Sequence, residues 1–337
     1  MPKDIPPKTV VLHQQTGIGD LVWHIPYLRA IAQHSVNQQI ALIAAPTTLA
    51  KQILEPEKCI GQIIDYYHLP RSQDRGQVQG GRIARMKQFA NELKAFGFER
   101  IVVLSGRSSR GLLAYWSGIP IRMGYGYRWT QRIFLNTPPY ISRYQGKSNA
   151  IYHEASAFCM AHGFCDAPIV PKMFIPRELE TKMQERIKHL PKPLYVLAIG
   201  SSEVYKQWGT DNYSELTLAL TKREFGVALL GGKMDSEMAV SIKESLPAEL
   251  QAQVEVITDV PILESAAVMR VADACIGNDT GLCQIAAACD CLCYIIMGPR
   301  QRLDHDPLQR FITSDQLLNI TTSQITEFLH NDHAPGF

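Results

Sequence analysis

The sequence predicts an α/β protein built from two doubly wound parallel-sheet domains. Its 337 residues are about twice the size of one ordinary domain. Short β-branched runs alternate with longer amphipathic stretches, and this alternation, typical of βαβ units, occurs twice along the chain. A proline-punctuated segment near 165–193 separates the two series as a linker. We therefore expect domains at residues 1–170 and 171–337.

The first series contains four predicted strands and three predicted helices. Val10-Val11-Leu12 is an apolar, β-branched run that predicts the opening strand, and a polar, glycine-containing turn leads from it into a helix. An aromatic and proline-rich stretch at 125–144 interrupts the alternation. The predicted strands are 10–12, 40–45, 63–67 and 101–104, and the predicted helices are 21–34, 81–96 and 150–162.

The second series begins after the prolines of the linker. Its strands are short apolar runs, several of which end in glycine, and its last strand is predicted to close the series. The predicted strands are 194–199, 227–230, 254–257, 274–276 and 292–296. The predicted helices are 212–221, 236–245, 263–271 and a small-residue helix that ends at 288.

The charge of the chain is divided unevenly between its halves. The whole chain has 34 Lys+Arg and 32 Asp+Glu, a net charge of +2. Residues 1–170 carry 19 basic and 10 acidic residues, or +9, whereas residues 171–337 carry 15 and 22, or −7. This asymmetry indicates that the basic half faces an anionic partner.

Composition and patterning argue against three classes of protein. No apolar run reaches the roughly 18–20 residues that span a bilayer, so an integral membrane protein is not expected. The N-terminus lacks the apolar core of a signal peptide, which predicts a cytoplasmic protein. Eight cysteines in 337 residues are too few for a disulfide scaffold.

The first motif that carries chemistry is Thr16-Gly17-Ile18-Gly19-Asp20, directly after the opening strand. In doubly wound folds ligands bind beyond the carboxyl ends of the strands, and a helix N-terminus there favours negative charge. A dinucleotide fingerprint would need a third glycine where Val22 stands, so a nicotinamide or flavin site is weakly supported. Asp20 is either a helix N-cap or a catalytic carboxylate, and its spacing alone favours neither.

Two further motifs follow strands of the second series. In the segment 200–208, the hydroxyls of Ser201 and Ser202 and the ammonium of Lys206 can surround a phosphate, although a solvated loop is the alternative. In the segment 277–288, Asp279 and Thr280 stand where a helix begins, so they either cap that helix or mark an anion site at its free amides.

The order of these motifs resembles one family. GD near the N-terminus, a small hydroxyl residue followed by x3-K-x-W, and GNDTG with a small-residue helix and a later GP are similar to the bacterial lipopolysaccharide heptosyltransferases, glycosyltransferase family 9. The resemblance extends from about Val10 to Pro299. It implies a GT-B fold, in which two Rossmann-like domains face each other across a cleft. The first domain would hold the acceptor and the second a nucleotide sugar, typically ADP-heptose.

The resemblance implies roles for individual residues. Asp20 matches the aspartate proposed as the general base that takes the proton of the acceptor hydroxyl, and Gly19 belongs to the same acceptor-side motif. Ser201, Ser202 and Lys206 match the residues that bind the donor phosphates. Lys206 would also stabilise the charge on the departing nucleotide, so that direct displacement inverts the anomeric carbon.

Further donor contacts are implied in the second half. Asp235 lies near the acidic residue that contacts the nucleotide ribose, and Asp279 matches the aspartate that contacts the transferred sugar. Thr280 and Gly281 match the donors to the diphosphate. Gln284 stands where the family commonly has a histidine, and glutamine can donate a hydrogen bond to phosphate but carries no charge.

No metal ion or other cofactor is required by this scheme. Asp304-His305-Asp306 looks like the DxD of metal-dependent glycosyltransferases, but it follows the last predicted strand and precedes a proline. Cys289, Cys291 and Cys293 occupy every second position, which predicts one face of a strand. Without a CxxC pair or a nearby histidine, buried thiols are favoured over a zinc site.

The basic half suggests the acceptor. Arg107 and Arg128 belong to a group of cations near the irregular stretch, interleaved with tyrosines and tryptophans. Cations suit phosphates and carboxylates, and aromatic faces suit sugars. Nucleic acid could use the same composition, but the nucleotide-sugar motifs favour an anionic lipid A–core glycan. The group comprises Arg107, Arg110, Arg122, Arg128, Arg132, Arg143 and Lys147.

The leading hypothesis is therefore an inverting glycosyltransferase that uses ADP-heptose to extend the lipopolysaccharide inner core. We expect peripheral contact with the cytoplasmic face of the inner membrane and no nucleic-acid partner. A nucleotide-sugar epimerase of the same fold is one alternative. A catalytically weakened relative that binds a glycan or nucleotide is the other, and Gln284 is the sequence feature that suggests it.

Overall fold

The computed structural model describes residues 5–66, 81–201 and 203–337. The chain divides into two compact units, Met1–Val170 and Pro171–Phe337. Each unit contains one parallel β-sheet connected through helices, so the α/β doubly wound fold class predicted from the sequence is confirmed.

The first unit contains a five-stranded parallel sheet. Its strands are β1 Thr9–His13, β2 Ile40–Ala44, β3 Ile60–Asp65, β4 Arg100–Leu104 and β5 Ile121–Gly124. Its helices are α1 Ile18–Gln33, α2 Ala50–Ile53, α3 Arg82–Lys94, α4 Ser108–Trp116, α5 Trp129–Arg132 and α6 Ala150–Ala161. The spatial order of the strands is β3-β2-β1-β4-β5.

The strand order of the first unit reverses between β1 and β4. All residues of β1, β2 and β4 are buried, as expected for strands covered on both faces, which is why they read as continuous apolar runs. His13 at the end of β1 pairs with Leu104 at the end of β4. The loops that follow these two strands are therefore neighbours at the topological switch point, where doubly wound folds bind ligands.

The second unit contains a six-stranded parallel sheet. Its strands are β6 Leu194–Ala198, β7 Gly226–Leu230, β8 Val254–Ile257, β9 Ala274–Asn278, β10 Leu292–Met297 and β11 Gln309–Thr313. Its helices are α7 Arg177–Ile187, α8 Thr210–Thr221, α9 Ser236–Glu244, α10 Ile262–Val271, α11 Gly281–Ala288 and α12 Thr322–Asn331. The spatial order is β11-β10-β9-β6-β7-β8.

The switch point of the second sheet lies between β6 and β9. Ala198 pairs with Gly277, so the loops after these two strands lie side by side. Trp208, in the loop after β6, is fully buried in the core of the unit, and its indole N–H donates to the carbonyl of Ile320 at 2.7 Å. This anchor holds the loop between β6 and α8 against the sheet.

Several elements differ from the sequence-based expectation. The predicted linker 165–193 contains α7, which packs against α10 through a face that buries Met183 and Ile187. The second series does not close at 296, because β11 and α12 follow. Strand β11 is polar and only partly buried, so it lacks the apolar run that marks its neighbours. In the described part of the chain, no helix is both long and apolar enough to cross a membrane.

Candidate active site

Asp20 lies in the first turn of α1, beyond the carboxyl end of β1. The N-cap of this helix is Gly17 and Asp20 is its third residue, so the N-cap alternative for Asp20 is wrong. The carboxylate folds back over the start of the helix. Its Oδ2 lies only 2.9 Å from the place that a Cβ on Gly17 would occupy. Gly19 is the second residue of the same turn. The partial positive charge of a helix N-terminus favours a carboxylate at this place.

Two buried histidines lie behind Asp20. The ring of His13, the last residue of β1, packs edge-on against the ring of His24 in α1, with 4.9 Å between the centroids. Burial lowers the pKa of His13 to about 4 and that of His24 well below its ordinary value, although the main chain of Asp20 faces both rings and partly offsets this. Both imidazoles are therefore neutral near pH 7. This state fits a role in packing beneath the turn that contains Asp20 better than a role in acid–base chemistry.

Arg107 and Arg128 lie in two loops that hydrogen bonds join. Both side chains are exposed, and each residue precedes a helix, α4 and α5 respectively. The side-chain nitrogen of Gln131 in α5 donates to the main-chain carbonyl of Ser105 at 2.6 Å. Its side-chain oxygen accepts from the main-chain N–H of Gly126 at 2.9 Å. The loop after β4 and the loop before α5 are thus fixed to each other.

Tyr127 lies among charged residues of the first unit. Its ring covers Gly106, where an added Cβ would come within 1.8 Å of the ring. Burial and then the negative charge of Glu154 raise the pKa of Tyr127, while the positive charges of Arg128, Arg143 and Arg107 lower it. The phenol is therefore within electrostatic reach of three of the predicted acceptor-side arginines and of one carboxylate.

Arg110 differs from the exposed members of this group because its side chain is only 2% exposed. Its Nε donates to the side-chain oxygen of Gln14, which follows β1, and a second nitrogen donates to the hydroxyl of Tyr66 at 3.4 Å. No carboxylate of the described residues lies within ion-pair distance, and burial lowers the pKa of the guanidinium. The sequence offered one sign that Arg110 is buried, because Arg110 lies three residues before Leu113 and therefore on the same face of α4.

In the second unit, Ser201 and Lys206 lie in the loop after β6. The hydroxyl of Ser201 donates to the carbonyl of Glu203 at 2.9 Å. Lys206 ends a 3-10 turn at Val204–Lys206 and forms an ion pair with Glu203, with 20% of its side chain exposed. Ser202, the other predicted phosphate ligand in this loop, lies outside the described residues.

Asn278 connects this loop to the third motif. The residue is fully buried at the end of β9. Its side-chain oxygen accepts from the main-chain N–H of Trp208 at 3.1 Å, and its side-chain nitrogen donates to Ile199 and Gln207. The asparagine of the GNDTG motif therefore holds the loop that carries Lys206, a role that the sequence pattern alone did not reveal.

Asp279, Thr280 and Gly281 form the start of α11. Thr280 is the N-cap by position, yet its side chain makes no capping hydrogen bond, and its buried hydroxyl has no hydrogen-bond partner within the described ranges. Asp279 accepts a hydrogen bond from Arg300 at 2.6 Å. Arg300 follows β10 and was not predicted as a site residue, because only the folded chain places it beside Asp279.

Asp235 fills the space between the loops after β6 and β7. Its Oδ2 accepts from the N–H of Gly232 at 2.8 Å. A Cβ on Gly200 would lie 2.5 Å from Oδ2, and one on Gly231 would lie 2.7 Å from the Asp235 Cβ. Asp235 is thus close to the serine–lysine loop, and its contact with a ribose stays a prediction.

Gln284 lies on the buried side of α11. Its side-chain oxygen accepts from the side-chain nitrogen of Gln309 in β11 at 2.6 Å, and only 4% of the residue is exposed. These contacts indicate a packing role, and its contact with the donor stays a prediction. The hydrogen bonds of Asn278 and Arg300 bring together the loop after β6 and the start of α11. The predicted site residues on these two segments are Ser201, Lys206, Asp279, Thr280 and Gly281.

The cysteines do not form the predicted strand face. Cys293 lies in β10, whereas Cys289 follows the last turn of α11 and Cys291 precedes the strand. Cys293 instead meets Cys275 and Cys283, with all three Sγ atoms within 4.8 Å of one another. The three are fully buried, and the Cys283 thiol also donates to the carbonyl of Asn278 at 3.1 Å. Within the described ranges no other cysteine, histidine or carboxylate joins the group, and the choice between packed thiols and a metal site stays a prediction.

The match to a family model decides the family. Residues 86–308, more than half of the chain, match glycosyltransferase family 9 (heptosyltransferase). The chain belongs to this family. The resemblance inferred from the motifs is confirmed, and the chain is a glycosyltransferase of family 9. The matched range includes Lys206 and Asp279 and begins after Asp20.

Solved structures of the family share the fold over nearly the whole chain. Escherichia coli ADP-heptose lipopolysaccharide heptosyltransferase II matches with a TM-score of 0.71 and 18% identity, over 96% of this chain and 98% of that one. E. coli heptosyltransferase WaaC with ADP-2-deoxy-2-fluoro heptose matches with the same score and identity, over 96% and 99%.

A family 9 glycosyltransferase from Veillonella parvula matches with a TM-score of 0.75 and 18% identity, over 97% of each chain. These matches confirm the GT-B fold that the family resemblance implied. Comparison with curated protein sequences gives no match.

Proposed function

We propose that this protein transfers a heptose from ADP-heptose to an anionic sugar of the lipopolysaccharide inner core, with inversion of the anomeric carbon. Membership of family 9 and similarity to two E. coli heptosyltransferases support this proposal. The observation that carries it is the buried Asn278, because its hydrogen bonds fix the Lys206 loop beside the start of α11.

The donor would bind through its diphosphate in the second unit. Free amides at the start of α11 and the nearby ammonium of Lys206 favour an anion of this kind. The hydroxyl of Thr280, which lacks a hydrogen-bond partner among the described residues, is a further donor for a phosphate oxygen. Asp279 would accept a hydroxyl of the heptose and Asp235 one of the ribose. The proposed reaction uses no metal ion.

The acceptor would bind to the first unit. Arg107 and Arg128 offer exposed cations beside Tyr127, and Arg110 adds a buried positive charge with no carboxylate partner in the described ranges. Phosphate or carboxylate groups of a core glycan fit such a surface. The net charge of +9 on residues 1–170 would also favour peripheral adsorption of the protein to the anionic cytoplasmic leaflet.

In the proposed reaction Asp20 accepts the proton of the acceptor hydroxyl as that oxygen forms a bond to the anomeric carbon. The bond from this carbon to the diphosphate breaks on the opposite face, and its electron pair leaves with ADP. Lys206 and the amides at the start of α11 stabilise the negative charge that develops on the diphosphate.

The test is transfer with defined substrates. Purified protein is incubated with ADP-heptose and a set of truncated lipopolysaccharide cores, and the products are weighed by mass spectrometry. We expect one acceptor to gain one heptose mass and ADP to be released. Epimerised ADP-heptose without acceptor, detected by NMR, would support the epimerase alternative. ADP binding without transfer to any core would support a weakened relative.

A further inference from the structure

Two cations in the second unit are each paired with a carboxylate. Lys206 pairs with Glu203 in the loop after β6, and Arg300 pairs with Asp279 after β9 at 2.6 Å. Both pairs are partly exposed, with 20% of Lys206 and 32% of Arg300 accessible. Partly exposed ion pairs are weak, so a more highly charged anion can replace either carboxylate.

Tyr205 links the two pairs. Its hydroxyl accepts from a guanidinium nitrogen of Arg300 at 3.1 Å and donates to Glu203 at 2.9 Å. The guanidinium also stacks over the tyrosine ring, with 5.1 Å between its carbon and the ring centroid. Lys206 and Arg300 therefore belong to one network, although they are far apart in sequence.

The network is electrically balanced without a ligand. Two cations face two carboxylates, and the hydrogen bond from Lys206 is the largest cause that lowers the pKa of Glu203. Arg300 lowers it as well. Each cation is thereby held in place by a group that a diphosphate can displace.

We propose that Arg300 is a second diphosphate-binding cation, and that Glu203 and Asp279 occupy Lys206 and Arg300 until the nucleotide displaces them. The proposal rests on the proposed function, since it assumes a nucleoside diphosphate donor. A guanidinium can hold two phosphate oxygens at once, which an ammonium cannot. Arg300 thereby supplies the charge that Gln284 lacks, and Gln284 is in any case turned toward Gln309.

Displacement has a consequence for the sugar. When Arg300 moves its hydrogen bonds to the diphosphate, the carboxylate of Asp279 becomes available to accept a sugar hydroxyl. Binding of the diphosphate then prepares the contact that recognises the sugar. Glu203, in contrast, has no assigned ligand and acts only as a competitor for Lys206.

The test measures binding of ADP and of inorganic pyrophosphate by calorimetry. We expect Arg300→Gln to weaken both about tenfold or more, as loss of a charge-assisted hydrogen bond implies. Glu203→Gln should tighten both a few fold, because Lys206 no longer has a competing carboxylate. Arg302→Gln is the matched control, since Arg302 lies in the same loop, is exposed and contacts Thr313 instead.

Salt dependence separates a binding role from a structural one. The slope of log Kd against log salt concentration should fall in Arg300→Gln by an amount that corresponds to about one charge contact. The slope should stay unchanged in Arg302→Gln. Arg300→Lys should retain the slope with intermediate affinity. If Arg300→Gln binds ADP and pyrophosphate like Arg302→Gln, the proposal is overturned.

Failure of this inference differs from failure of the proposed function. If the wild-type protein binds ADP and Lys206→Ala weakens binding while Arg300→Gln does not, only the role of Arg300 is lost. If the wild-type protein binds neither ADP nor pyrophosphate, the donor assignment itself is lost. Thermal unfolding of each variant confirms that the affinities compare folded proteins.

Discussion

The side-chain oxygen of Asn278 accepts a hydrogen bond from the main-chain N–H of Trp208 at 3.1 Å. This contact joins the end of β9 to the loop after β6 in a fully buried place. A single side chain thus sets the spacing between the two segments that we propose to bind the donor phosphates.

Asn278→Ala should reduce both stability and donor affinity. It leaves the buried N–H of Trp208 without its acceptor, which costs about 1–3 kcal/mol of the free energy of unfolding. The loop that carries Lys206 loses its anchor, so ADP should bind several fold more weakly. Urea unfolding and calorimetry measure the two effects, and exposed Asn319→Ala is the control. Unchanged ADP affinity at reduced stability would show that the bond serves folding alone.

Asp20→Asn should nearly abolish transfer while ADP affinity stays within a few fold of the wild type. The amide cannot accept the proton of the acceptor hydroxyl, and loss of a general base lowers the rate by about 10²–10⁴-fold. Initial rates of heptose transfer measure this effect. Glu178→Gln, which removes an exposed acid from the first turn of α7, should leave the rate unchanged. Wild-type turnover in Asp20→Asn would remove Asp20 from the chemistry.

Lys206→Ala should weaken ADP binding about tenfold or more and slow transfer, because the diphosphate loses a charge-assisted hydrogen bond. Single-turnover kinetics separate the loss of binding from slower departure of ADP. The control is Lys222→Ala, an exposed lysine at the end of α8. Equal affinities and rates in the two variants would exclude a phosphate role for Lys206.

Stability should fall as the pH is lowered from about 6.5 toward 4. The folded protein keeps His13 and His24 neutral, since burial lowers the pKa of His13 to about 4 and that of His24 well below its ordinary value. The unfolded chain binds a proton at each of these histidines below about pH 6.5. The free energy of unfolding therefore falls by up to ~1.4 kcal/mol for each histidine with every pH unit.

Urea unfolding between pH 7.5 and 5 measures this dependence. His24→Leu should show a shallower decline than the wild type, by roughly one proton. His330→Gln, which changes an exposed histidine in α12, should keep the wild-type slope. An unchanged slope in His24→Leu would mean that the histidine pair does not control the acid sensitivity.

Gln284→Leu should destabilise the second unit and leave ADP affinity within about threefold. The buried side-chain nitrogen of Gln309 loses its acceptor, which costs about 1–3 kcal/mol. Gln184→Leu in α7 is the exposed control in the same unit. A tenfold loss of ADP affinity would instead support the donor contact that the family resemblance implied for Gln284.

The fold could be predicted from the sequence because the central strands are buried on both faces and read as apolar runs. Strand β11 and helix α7 could not, since Gln309–Thr313 is polar and Arg177–Ile187 is mostly charged with a narrow buried face. Motif order was sufficient to place Asp20, Lys206 and Asp279 in loops or helix starts after strands, where the structure has them, and their catalytic and binding roles stay predictions. Arg300 and the role of Asn278 depend on tertiary contacts, which no local spacing expresses.

The carboxyl group of Asp235 occupies the volume that side chains at positions 200 and 231 would require. The two glycines differ in what a larger residue would meet. A side chain at 231 would meet the Cβ of Asp235, 2.7 Å away, so it requires a main-chain shift or a glycine at 235. A side chain at 200 would meet the carboxylate oxygen, which can rotate away at the cost of its hydrogen bond to the N–H of Gly232. A larger residue is therefore accommodated more easily at 200 than at 231.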